Sequence, residues 1–145
     1  MRQICRGARP FWLVVVLLVI SGRRLAGVTA EVANLGSNPG QLKMFRYIPD
    51  QLRRPAPLVV VLHGCAQMAV PFAEAIGWLQ AADRWGLALL LPEQQSANNR
   101  GSCFNWFRPE YMTRNQGEAL SIRQMIGQTQ ADYPKKKKKI YVTGI

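Results

Sequence analysis

The 145 residues include one histidine, eight acidic side chains against nineteen lysines and arginines, and three cysteines. These scarcities exclude several chemistries. No metal-ligand spacing, phosphate-cradling glycine loop or dinucleotide fingerprint occurs. Neither a metal nor another cofactor is expected. Internal repeats are missing, and the lysine run Lys135 to Lys139 is the sole low-complexity stretch. The longest unbroken apolar run, Phe11 to Ile20, would rise only about 15 Å as a helix. That is half of the roughly 30 Å hydrocarbon core of a bilayer, which disfavours a spanning helix.

Arg2, Arg6 and Arg9 precede that run, and Val28-Thr29-Ala30 follows it with small residues where a signal peptidase cuts. Residues 1–30 therefore read as a secretory signal peptide with Glu31 as the mature start, which points to a secreted or periplasmic product. Arg23 and Arg24 make the segment longer and more basic than usual. An uncleaved amino-terminal anchor is the alternative, and membrane contact is expected only in that case.

The net charge of +11 invites a nucleic-acid partner, but its distribution argues against one. Five arginines lie in residues 1–30 without a single acid, and five lysines form the run at 135–139. Without these ten charges the remainder is close to neutral, and no basic face spreads over a domain. The lysine run reads as a solvated loop. Of the cysteines, Cys5 leaves with the signal peptide. Cys65 and Cys103 remain as an even pair that an oxidising compartment could join, or as two separate buried thiols.

Residues 31–145 read as one domain. Glu31 to Gln41 holds turn formers and suggests a flexible lead-in, and Leu42 to Ile48 reads as an edge strand closed by Pro49-Asp50. Leu58-Val59-Val60-Val61-Leu62 is continuous and largely β-branched, as in a strand buried on both faces. Pro71 to Trp85 has helical spacing, with Phe72, Ile76 and Leu79 on one stripe and Gly86 at its stop. Leu87 to Leu91 reads as a second buried strand ended by Pro92. Glu93 to Thr113 is irregular and aromatic, a loop long enough to suggest function. Asn115 and Glu118 resemble a capping box before a helix that presents Ala119, Ile122, Ile126 and Thr129 on one side. Ile140 to Thr143 reads as the last strand. The alternation implies an α/β fold with a mainly parallel sheet.

Three motifs carry the chemistry. Leu62-His63-Gly64-Cys65-Ala66-Gln67 follows a buried strand, Cys103-Phe104-Asn105-Trp106-Phe107 lies in the long loop, and Tyr141-Val142-Thr143-Gly144 ends the chain. With Tyr47-Ile48-Pro49, Ala82-Asp83 and Leu91-Pro92-Glu93-Gln94, they resemble the secreted poly(3-hydroxybutyrate) depolymerase-like esterases, which are α/β-hydrolases. The resemblance runs from about Gln41 to Ile145. It implies a serine esterase that works through an acyl-enzyme on polyhydroxyalkanoate, plant-wall phenolic or acetyl esters, or small synthetic esters.

In that family the nucleophile sits on a G-x-S-x-G turn after a strand, with the acid and histidine further along. Gly144 would match the first glycine, so serine, aspartate and histidine would all fall after Ile145. The chain alone is expected to be inactive. The resemblance assigns the main-chain N–H of Cys65 to the oxyanion hole, a disulfide to Cys65 and Cys103, and a place lining the substrate cleft to Trp106. Ordinary core packing is the alternative for Trp106. His63 belongs to the oxyanion turn, where it is expected to shape the turn rather than act as a base. Asp83, Glu93 and Glu118 read as cap or surface groups. A reading from another class is a polymer- or anionic-surface-binding protein that uses the aromatic loop and the lysine run without catalysis.

Overall fold

The computed structural model describes residues 27–52, 55–133 and 139–145. Residues 1–26, with the apolar run read as a signal peptide, and Lys135 to Lys138 of the lysine run lie outside the described residues. Among the described residues five strands form one sheet: β1 (Gly27–Glu31), β2 (Lys43–Pro49), β3 (Leu58–Leu62), β4 (Ala88–Glu93) and β5 (Ile140–Gly144), in the order β1-β2-β4-β3-β5. The same residues hold four helices: α1 (Ala69–Ala75), α2 (Trp78–Trp85), α3 (Pro109–Met112) and α4 (Gly117–Asp132).

The unbroken apolar runs of β3 and β4 have a direct cause. Side chains alternate across a strand, and here both faces are covered. Val59, Val61, Leu89 and Leu91 pack with Tyr47, Phe72, Ala73, Leu79 and Ala82 on the α1–α2 side. Leu58, Val60, Ala88 and Leu90 pack with Leu42, Met44 and Met125 on the α4 side. The three-layer α/β arrangement follows from these two clusters.

The sheet is mixed rather than mainly parallel. β3 pairs in parallel with β4 and β5, whereas β1–β2 and β2–β4 are antiparallel. β2 is also internal rather than an edge, because Gly27–Glu31 pairs along it. Residues 27–30, within the segment read as a signal peptide, thus form most of β1. The lead-in is tied down: the Gly40 N–H donates to Ser121 Oγ at 2.8 Å and the Asn38 N–H to Gln124 Oε1 at 3.2 Å.

Two helical expectations change. The Pro71 to Trp85 segment is two helices, broken where Gly77 takes a left-handed φ of 82°, and Ile76 at the break is 52% exposed instead of buried. α2 does stop at Gly86, also left-handed. On α4 the buried residues are Glu118, Ser121, Met125 and Thr129, with Ile122 and Ile126 flanking the same cluster. No capping box forms: Gln116 is the N-cap, and Asn115 Oδ1 accepts from Arg123 instead.

Candidate active site

β3 ends at Leu62, and the chain turns through His63 to Met68 before α1 begins at Ala69. His63 is 1% exposed, so both ring nitrogens need partners inside the protein. The Gln94 main-chain N–H donates to Nε2 at 3.0 Å, and Nδ1 lies 2.7 Å from Gly64 O. Because a main-chain N–H can only donate, Nε2 accepts and Nδ1 carries the proton donated to Gly64. Phe104 packs on the ring at 5.0 Å. His63 is thus a post under the turn.

Three of the turn's main-chain donors are paired within the protein. The Gly64 N–H donates to Gln67 Oε1 at 2.7 Å, Ala66 to Gly101 O at 2.7 Å and Gln67 to Gly64 O at 3.3 Å. The Cys65 N–H has no acceptor among the described residues. Cys65 is bonded to Cys103, with their Cα atoms 4.2 Å apart, so the turn is covalently joined to the aromatic loop. Ala66 follows at a left-handed φ of 57°.

β5 passes on the other side. Its register sets Gly144 opposite Leu62, and a Cβ on Gly144 would lie 2.7 Å from Leu62 O. Only glycine permits that approach. One residue on, the Ile145 side chain comes within 3.1 Å of the place a Cβ on Gly64 would occupy. The carboxyl ends of β3 and β5 therefore meet at the turn, at the end of the sheet where α/β proteins place their sites.

Trp106 is 70% exposed and meets Phe107 edge-on at 5.8 Å. It is not a core residue. With Phe107, Pro109, Met112 and Thr113 it lines a hollow of about 340 Å³ on the aromatic loop.

A profile of the family described as "Esterase PHB depolymerase" matches residues 43–145. The chain belongs to this family. It is 43% identical to poly(3-hydroxyalkanoate) depolymerase C of Paucimonas lemoignei over 90% of this chain and 31% of that protein. It is 32% identical to feruloyl esterase B of Talaromyces funiculosus, over 91% of this chain and 37% of that protein. Among solved structures, the acetyl xylan esterase from Aspergillus awamori superposes with a TM-score of 0.73 at 25% identity, covering 81% of this chain and 42% of that one. The chain spans about a third of the length of the curated relatives it matches. Family members are carboxylic ester hydrolases, and the fold is that of the α/β-hydrolases.

Sequence reasoning placed His63, Cys65, Cys103 and Trp106 in one neighbourhood and missed the polar groups that hold it. Glu93 does cap a helix, accepting from the Ala69 N–H at 2.8 Å. Asp83 accepts the Tyr47 hydroxyl with both oxygens, at 2.8 and 2.9 Å, and burial together with this carboxylate pushes the phenol well above its usual range. Glu118 is neither cap nor surface. It is 4% exposed, and its carboxylate accepts from Gln94 Nε2 at 2.5 Å, Asn105 Nδ2 at 2.7 Å and the Asn105 N–H at 2.9 Å. The sequence signal was the Glu118, Ser121, Met125, Thr129 spacing, masked because glutamate is rarely buried.

Replacing Cys65 and Cys103 together by serine removes a cross-link between residues 38 apart. The expected loss is about 3–4 kcal/mol in urea denaturation, from the added freedom of the unfolded chain. A loss below about 1 kcal/mol would show that the bridge adds little constraint.

Proposed function

We propose that these residues form the oxyanion and cleft half of a serine esterase acting on polyhydroxyalkanoate or a related ester through an acyl-enzyme. The observation that carries this reading is the meeting of Gly144–Ile145 with the Leu62–Gly64 segment. On this reading a residue following Ile145 in the family's G-x-S-x-G turn lies near the turn that holds Cys65, because the Ile145 side chain already reaches Gly64. A serine there, activated by a downstream histidine and aspartate, attacks the ester carbonyl. The Cys65 N–H and the N–H after the serine then stabilise the developing oxyanion. One such donor contributes roughly 3–4 kcal/mol in the transition state, and only when a nucleophile generates the charge.

On this reading Trp106 and its hollow take the acyl chain or its aromatic or polymeric extension. The 43% identity to the poly(3-hydroxyalkanoate) depolymerase, against 32% to the feruloyl esterase, favours a hydroxyalkanoate over a ferulate ester. The disulfide supports export through residues 1–30, since such bonds persist in oxidising compartments. Cleavage after Ala30 would leave only Glu31 of β1.

The test compares the 145-residue chain with a polypeptide carried on through serine, aspartate and histidine. A soluble 3-hydroxybutyrate oligomer, methyl ferulate and acetylated xylan serve as substrates. The short chain should match the buffer rate. The longer one should turn over the oligomer, and Trp106→Ala should raise its KM several-fold. Failure of the longer chain on all three esters would overturn the reading.

A further inference from the structure

We propose that Glu118 is a positioning residue, fixing the aromatic loop and the His63–Gln67 turn relative to each other; this rests on the esterase reading of those two elements. A buried carboxylate is normally matched by a cation. The only ion pairs among the described residues are Arg46–Asp132 and Arg108–Glu110, neither of which involves Glu118. Its charge is offset instead by three amide donors and by its place in the first turn of α4, where the helix dipole favours an anion.

The identity of the donors gives the carboxylate its consequence. Two come from Asn105, whose main-chain N–H and side chain are both held, and Trp106 is the next residue. The third comes from Gln94, whose own main-chain N–H holds His63 Nε2. One side chain therefore reaches the aromatic loop directly and the turn through a single intermediate residue.

The network is also directional. Gln94 Oε1 already accepts from Asn98 Nδ2 at 2.8 Å and from the Gln95 N–H at 2.9 Å, and Asn105 Oδ1 accepts from Asn99 Nδ2 at 3.0 Å. Neither amide can turn over without breaking these bonds. Glu118 must accept on both oxygens, which a carboxylate does and a glutamine cannot. Glu118→Gln keeps the shape and sets an NH2 group against at least one donor. Gly40 closes the other side, since a Cβ there would lie 2.7 Å from Glu118 Cα.

The test uses the 15N-labelled full chain, following amide exchange and the Trp106 indole Nε1–H resonance. Glu118→Gln should speed exchange at Asn105 by about 10-fold or more, consistent with loss of a charge-assisted bond. It should also shift the Trp106 indole and the Gly64–Gln67 amides while β3 and β4 keep their protection. Asn105→Ala removes the side-chain bonds to Glu118 and to Asn99, both on the loop side, and should shift Trp106 but leave the Gly64–Gln67 turn in place.

The proposal is overturned if Glu118→Gln leaves Trp106 and the turn unmoved, or if exchange rises uniformly through β3, β4 and α4 as for a residue that only fills space. If Glu118→Gln does not fold, Asn105→Ala decides alone: a shift confined to the loop supports the proposal, and a shift in both elements or in neither overturns it. No ester enters these measurements, so their failure is separable from failure of the esterase reading.

Discussion

The hydrogen bond from the Gln94 main chain to His63 Nε2 joins the carboxyl ends of β3 and β4 where both strands leave the sheet. Strand ends inside a three-layer fold must satisfy their polar groups without water, because an unpaired buried donor costs about 1–3 kcal/mol. A buried imidazole solves this for both strands at once. It accepts from β4's continuation and donates into the turn that continues β3. The direction of the turn and the path toward Cys103 depend on that ring being in place.

Covalent and polar links then extend the constraint outward. The Cys65–Cys103 bond and the Ala66 to Gly101 hydrogen bond tie the turn to the loop. Glu118 ties the loop to α4, and Ser121 and Gln124 on that helix hold the lead-in. Trp106 is exposed and follows Asn105, whose main-chain N–H and side chain both donate to Glu118.

Much of this was legible in the residues. β3, β4 and β5 could be read because continuous apolar runs have few other uses in a chain of this size, and the glycine stop at Gly86 was equally plain. The two antiparallel pairings were not, since pairing partners leave no local trace: β2 looks like an edge until Gly27–Glu31 is seen beside it. The break at Gly77 was hidden by apolar spacing that continues through it. At the site, the motif residues were found because their chemistry is distinctive. Glu118 was missed because a glutamate at helical spacing is ordinarily solvated. Gln94 and Asn105 lay inside the quoted motifs, but their roles come from a third residue that sequence proximity does not connect to them.

His63 supports the turn by accepting at Nε2 from the Gln94 N–H and donating from Nδ1 to Gly64 O. Long-range 1H–15N correlation of the His63 imidazole tests this most directly. A single tautomer is expected, with the proton on Nδ1 and an unprotonated Nε2 coupled across the hydrogen bond to the Gln94 N–H. A proton on Nε2, or rapid exchange between the two tautomers, would contradict it.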